Sequence, residues 1–343
     1  MKKLIGALLV ASGLLACAQA NAAALVPYGN GLPLVHMNVA GPGFNDRVLP
    51  GRNGYDYAFP ASDYLDRWQT RGIRIIRLSV LWERLQPVAE KELNTEYAQG
   101  IDKFLSQAAK RNMGVVLDIH NYGRYYQKVI GTTDVPLSYY EGFMRRVAHR
   151  WKDTPGLVGY DLMNEPYGAA DAYWPSVAQA GINGVRASDP AKAIYVEGKS
   201  WSNALNWPTL NGELLLLKDP ANNLVFSAHM YADVDASGTY QTAIPANFDL
   251  DLAVNRVKPF VEWLIRNNRR GQLGEFGVPN DPRYLQAMDR LLTYLHTKCV
   301  PMAYWAAGPL WGNYALSIEP DGKVDKPQWA VVGPHVKQAN SCH

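Results

Sequence analysis

Cysteine is scarce in this chain, with only Cys17, Cys299 and Cys342 among 343 residues. No C-x-x-C pair and no Cys/His cluster occurs, which argues against a structural zinc site. A G-x-G-x-x-G turn is also missing, and with it the usual mark of a doubly wound dinucleotide-binding sheet. Excess charge of one sign is small. The formal charge is +3, and Lys2 and Lys3 supply two of those charges, so a chain without them carries +1. That argues against nucleic acid or an anionic membrane surface as the main partner. Charged residues make up only 19% and apolar ones 48%, so a large core is available and global disorder is excluded. Beyond residue 16 no apolar run reaches eighteen residues, so the mature chain is not expected to span a membrane. There is no Ser/Thr/Pro-rich linker and no internal repeat, which predicts one domain with no room for a separate carbohydrate-binding module.

What the chain does have begins with a targeting segment. Met1-Lys2-Lys3 is a short positive start, Leu4 to Ala16 is apolar, and Ala18-Gln19-Ala20-Asn21-Ala22 offers A-x-A cleavage sites. Residues 1–22 therefore read as a cleaved signal peptide, leaving 23–343 as the mature domain in a secreted or periplasmic setting. Leu14-Leu15-Ala16-Cys17 resembles a lipoprotein processing box, so an outer-membrane lipoprotein anchored at Cys17 is the alternative. Either way Cys299 and Cys342 remain as an even pair, and an oxidising compartment predicts a disulfide between them. The chain-entropy model assigns a closed loop of that length about 4 kcal/mol.

Apolar runs alternate with helical patterns. Candidate strands are Leu34–Ala40, Arg74–Val80, Gly114–His120, Leu157–Asn164, Ala193–Glu197, Leu224–Tyr231, Gly271–Gly277 and Pro301–Ala307. Most are too continuously apolar to be half-exposed, as a parallel sheet covered on both faces requires. Between them, Asn94 to Asn112, Ser138 to Trp151, Tyr173 to Ser188, Leu250 to Asn268 and Pro282 to Lys298 carry apolar residues at helical spacing. A further helix is expected from the cap signal at Pro60-Ala61-Ser62-Asp63. Eight such units predict an α/β fold, a single (β/α)8 TIM barrel.

In such a barrel reactive groups sit at the C-terminal ends of the strands. Those ends carry Arg77, then Asp118, His120 and Asn121, then Asn164 and Glu165, then Glu197 followed by Trp201. They continue with His229 and Tyr231, Glu275, and Trp305 with Trp311 beyond it. Two carboxylates stand out, Glu165 and Glu275, each where an apolar strand ends. Paired carboxylates amid Trp, Tyr and Asn, with no metal ligands nearby, are the constellation for glycoside hydrolysis. The ten Trp and twenty Tyr fit either a core rich in rings or exposed rings that stack on sugars. His36-Met37-Asn38 lacks the H-x-H that amidohydrolase-type metal barrels carry after the first strand.

Taken together, Asn164-Glu165-Pro166, His229-x-Tyr231 and Glu275-Phe276-Gly277 resemble family 5 of the glycoside hydrolases. Gly72 to Leu78 and Asp118 to Tyr122 fit its early motifs. Asn267-Asn268-Arg269 and Tyr304-Trp305-Ala306-Ala307-Gly308 are most similar to the subfamily containing fungal endoglucanases. The resemblance implies a retaining mechanism with Glu165 as acid/base, Glu275 as nucleophile, and no metal or other cofactor. It implies that Asn164 binds the sugar 2-hydroxyl, Tyr231 hydrogen-bonds the nucleophile and Arg77 keeps Glu275 ionised. His229 would tune the acid/base, His120 would contact the sugar, and Trp305 would form a stacking floor. Asn121 joins the supporting residues, and Trp201, Trp207 and Trp311 are candidates for outer subsites or for loop packing. Asp118 and Asp161 read as structural acceptors inside strands. Glu197 sits at a strand end, but the family pattern gives it no catalytic part.

The expected activity is an endo-β-1,4-glucanase on cellulose-like chains, working as a monomer. Mannan, xyloglucan, mixed-linkage glucan or a bacterial exopolysaccharide are alternative substrates, because specificity resides in the loops. A non-catalytic sugar-binding barrel is the alternative of another class.

Overall fold

The computed structural model describes residues 33–340 and 342. The signal segment and Cys17 lie outside the described residues. Eight parallel strands close into a barrel. They are β1 Val35–Val39, β2 Ile75–Val80, β3 Gly114–Ile119 and β4 Leu157–Asp161, followed by β5 Ala193–Glu197, β6 Leu224–His229, β7 Gly271–Phe276 and β8 Met302–Ala307. Chain order is spatial order, and β1 closes on β8 through the pairs Val35–Met302 and His36–Ala303.

The helices include α1 Tyr64–Thr70, α2 Thr95–Lys110, α3 Leu137–Trp151, α4 Trp174–Arg186, the short α5 Trp207–Leu210, α6 Leu252–Arg266, α7 Pro282–Thr297 and α8 Pro327–Lys337. Local chemistry sets several of their starts. The Asn94 side chain accepts from Tyr97 N at 2.8 Å and caps α2. Asp281 accepts from Arg283 N at 2.9 Å ahead of Pro282, capping α7. The cap expected for α1 is not made. That helix begins only at Tyr64, and Asp63 at its N-cap makes no side-chain bond because its own backbone is already helical. Asn112 and Asn268, at φ +52° and +49°, turn the chain out of α2 and α6 into the following strands.

Alternation along the strands sorts their side chains. Outward-facing Met37, Ile76, Leu117, Ile194 and Phe226 join the helices in one continuous apolar core. Inside the barrel a second, smaller apolar layer gathers Ile75, Val116, Tyr195 and Val225. Two residues further along the same strands come Arg77, Asp118, Glu197 and Ser227, all buried and polar. The interior therefore changes from oily to polar toward the C-terminal face. Behind β8, Cys299 and Cys342 are joined by a disulfide with Cα atoms 5.6 Å apart.

Candidate active site

Arg77 stands at the centre of the polar layer. Its Nε donates to Asp161 Oδ2 at 2.8 Å. One terminal nitrogen reaches Asn38 Oδ1 at 3.1 Å, Glu275 Oε1 at 3.0 Å and Asp118 Oδ2 at 3.1 Å. The other donates to Asn164 Oδ1 at 2.9 Å and Glu197 Oε1 at 2.8 Å. One guanidinium thus joins residues of β1, β3, β4, β5 and β7 and faces four carboxylates, which suits its planar fork of donors. Asn38 extends the frame, donating to Gly274 O at 2.9 Å and Ala303 O at 3.2 Å.

Above this layer stand Glu165 and Glu275. β4 was expected to continue to Asn164, but it ends at Asp161. The chain must turn here, and Glu165 adopts φ +46°, a left-handed conformation uncommon for a residue with a side chain. Glu275 projects from β7 just after Gly274, where an added Cβ would collide with Ser227 Oγ and press on His229. The glycine lets β6 and β7 bring His229 against both carboxylates. His229 Nδ1 is 2.7 Å from Glu165 Oε1 and 3.6 Å from Glu275 Oε2. Tyr231 donates its hydroxyl to Glu275 Oε2 at 2.7 Å. Donor atoms of Glu165, His229 and Glu275 lie within 4.8 Å of one another. This is the kind of triad that can hold a cation, but Glu165 is already paired with His229, and Glu275 with Arg77 and Tyr231.

Charge and burial compete throughout. Burial pushes the Glu275 carboxyl above its usual range. His229 and Arg77 oppose this, while Glu165 reinforces it. Arg77 does pull in the expected direction, but it shares its charge with Asp118, Asp161 and Glu197, and burial prevails. Burial alone would lower His229, yet Glu197 and Glu275 hold its imidazole well above the ordinary value. Burial would also lower His120, and Asp118 overrides it from 2.7 Å. Burial and Glu275 raise the Tyr231 hydroxyl well above its usual value, so it stays a hydrogen-bond donor.

The other predicted residues fall into distinct places. His120 Nε2 lies 3.2 Å from the Asn164 amide, and its ring stacks parallel to Trp305 with centroids 5.4 Å apart. Phe44, Trp305 and Trp311 wall a pocket of about 250 Å³ on that side, beside Asp46 and Tyr122. A second pocket of about 500 Å³ runs from Glu165 and His229 past Tyr231 to Trp201 and Ser237. Trp201 is 51% exposed and lies flat on Tyr167 at 4.7 Å, which in turn carries the Arg124 guanidinium at 4.1 Å. It stands on three consecutive left-handed residues, Ser200, Trp201 and Ser202.

Two candidates have side chains engaged by the protein itself, although Asn121 also borders a pocket beside His120 and Tyr122. Trp207 is fully buried against Phe260 and Trp263, because α5 folds it under β6, so it packs a loop and lines no subsite. Asn121 is consumed as a brace, accepting from Trp82 N at 2.7 Å and donating to Glu83 at 2.5 Å. Glu197, given no part by the motifs, is instead fully buried at the centre of the cluster. Its position at the end of an apolar strand was the available signal. Phe44 and Tyr167 carried no signal at all, since they lie on loops.

Known proteins are similar to this chain in sequence and fold. The model of the cellulase family, glycosyl hydrolase family 5, matches residues 37–310. A probable endo-β-1,4-glucanase B from Neosartorya fischeri is 33% identical over 82% of this chain and 85% of its own. The Pseudomonas stutzeri endoglucanase Cel5A, solved with cellobiose, is 42% identical with a TM-score of 0.88, covering 91% of this chain and 94% of that one. XacCel5A, solved with cellopentaose, is 34% identical with a TM-score of 0.82, covering 89% and 99%. A closed barrel with two carboxylates at its mouth, matched by the family model over most of its length, makes this chain a glycoside hydrolase that belongs to family 5.

Proposed function

We propose that the protein is a retaining endo-β-1,4-glucanase, with Glu275 as nucleophile and Glu165 as acid/base. The observation that carries this reading is the carboxylate spacing. One carboxylate oxygen of Glu165 lies within 4.8 Å of one of Glu275. Retaining enzymes hold the pair about 5 Å apart, whereas inverting ones need roughly 6.5–9.5 Å to admit a water.

In the first step Glu275 attacks the anomeric carbon while Glu165 protonates the leaving oxygen. In the second, Glu165 takes a proton from water, which displaces Glu275. Tyr231 and Arg77 orient the attacking carboxylate through its two oxygens. Asn164, fixed by Arg77 and His120, is suited to meet the sugar 2-hydroxyl, a contact that strengthens as charge develops at the anomeric centre. Trp305 presents the floor beside it, and Trp201 a platform across the cleft. The mechanism asks for no metal or organic cofactor.

A β-1,4-glucan substrate is supported by the cellobiose and cellopentaose bound to the two neighbouring endoglucanases. Two separate pockets, one lined by Glu165 and Trp201 and the other by His120 and Trp305, suit an internal bond of a chain. We further propose that residues 1–22 direct export, with Cys17 lipidation the alternative, and that the mature enzyme acts as a monomer on polysaccharide rather than nucleic acid.

The test is product release from carboxymethylcellulose, mixed-linkage β-glucan, glucomannan, mannan and xyloglucan, with Glu275→Gln as blank. Rapid viscosity loss on the soluble glucans, absent in a folded Glu275→Gln variant, is expected. Wild-type silence across the panel would sink the reading, and preference for mannan or xyloglucan would reassign the substrate.

A further inference from the structure

Glu197 ends β5 with its side chain wholly enclosed, and the groups that touch its two oxygens are all nitrogens. Arg77 Nη2 reaches Glu197 Oε1 at 2.8 Å, and His229 Nε2 lies 2.8 Å from the same oxygen. That second contact is an ion-pair approach that falls short of hydrogen-bond alignment, since Nε2 has no hydrogen-bond partner. The other oxygen, Oε2, accepts from the backbone N–H of Glu165 at 2.7 Å. Its own main chain is pinned on both sides. Trp174 donates to Glu197 O at 2.6 Å, and Gly198 N donates to Ser202 Oγ at 2.8 Å. The charged groups around it are Arg77 of β2, Asp161 of β4 and His229 of β6.

We propose that Glu197 is a positioning residue for Glu165: it grips the left-handed backbone of that residue through Oε2 and sets the His229 ring that touches its carboxylate through Oε1. The inference rests on the acid/base reading of Glu165. Its physical basis is that two hydrogen-bond donors and an imidazole nitrogen converge on Glu197, which requires an acceptor with two open oxygens. A glutamine in this place turns an NH2 toward at least one N–H whichever way its amide is flipped. A loosened Glu165 backbone then carries the carboxyl away from the glycosidic oxygen, while Glu275 keeps Tyr231 and Arg77.

The consequence is a split by leaving group. Only poor leaving groups need protonation, and general acid catalysis contributes about 10²–10⁴-fold. Glu197→Gln is expected to lower kcat/KM on cellopentaose about 10²-fold. On 2,4-dinitrophenyl cellobioside its kcat/KM should change by no more than about threefold, while kcat and KM fall together because the base-assisted second step slows. Glu197→Asp, which keeps the charge but shortens the reach, should show the same split with a smaller loss. Since Glu197 acts through Glu165, the Glu165→Gln/Glu197→Gln double variant should be no slower on cellopentaose than Glu165→Gln alone, within about threefold.

Equal losses on both substrates, or losses that multiply in the double variant, would overturn the proposal. So would failure of both Glu197 variants to fold, which would make the residue framework only. Glu165→Gln serves as the control on the underlying reading. If it shows no leaving-group split, the acid/base assignment fails by itself. If it shows the split and a folded Glu197→Gln does not, only the inference about Glu197 falls.

Discussion

On their outer face the eight strands meet the helices through Met37, Ile76, Leu117, Ile194 and Phe226, and the contacts are apolar and non-directional. On their inner face, at the C-terminal end, the same strands carry Arg77, Asp118, Asp161, Glu197 and His229, and almost every contact is a directed bond or ion pair. The two faces differ by a single residue step along each strand. The outer one asks only for volume and hydrophobicity, so it tolerates exchange among aliphatic side chains. The inner one is a wired set in which removing any member strands a partner away from water. Function sits where substitution is least forgiving.

The strongest way to break this contrast is at Arg77. Arg77→Met leaves four buried carboxylates facing one another. It should cost about 3–5 kcal/mol of stability and lower hydrolysis by about 10²-fold or more. Urea unfolding and viscometry on soluble glucan would measure the two, and a stable, active variant would refute the wiring. Leu105→Ala on α2 probes the outer face. It should cost about 2–5 kcal/mol in the same unfolding experiment, yet leave the kcat of the folded enzyme at 25 °C within about twofold of wild type. A selective loss of kcat there would mean that the faces are coupled.

A third prediction concerns His36, which shares the inner face of β1 with Asn38. Burial lowers its pKa to about 3. The folded state therefore binds this proton more weakly than the unfolded chain, whose histidine titrates near 6.5. The stability that depends on neutral His36 is present above that value and is lost as pH falls toward 3, at about 1.4 kcal/mol per pH unit. Comparing wild type with His36→Leu by thermal melts at pH 7, 5.5 and 4.5 reads this directly. Parallel melting curves for the two proteins would contradict it. The smallest stability effect is expected at the exposed Trp201. Trp201→Ala should move stability by less than about 0.5 kcal/mol while raising KM for long oligosaccharides more than for short ones. An unchanged KM would remove Trp201 from the substrate path.

The same contrast explains what could be read in advance. All eight strands were legible because two-sided burial makes a continuous apolar run, and Ala193–Glu197 was legible to the residue. The C-terminal ends were less so. β4 stops at Asp161 because the chain must swing Glu165 into its left-handed turn, and no apolar pattern records a change of φ. Glu165, Glu275, Asn164 and Tyr231 announced themselves as polar residues closing apolar strands. Glu197 did so as well, but what a buried carboxylate does depends on the neighbours it meets, which only the closed barrel brings together. Trp201 and Trp207 look alike in sequence, and a few residues of loop geometry send one to the surface and the other into the core.

The Cys299–Cys342 bond has a bearing on how the protein wears. It closes a covalent ring that contains β8, α8 and the exposed stretch from Asp321 to Asp325, with Lys323 near its middle. A protease that cuts this stretch opens the ring but releases nothing, because the severed end stays tethered through sulfur. The piece that carries α8 remains beside its docking site at high effective concentration and can settle back. Wherever proteases act on it, a nicked molecule of this kind keeps both its pieces together until a reductant arrives.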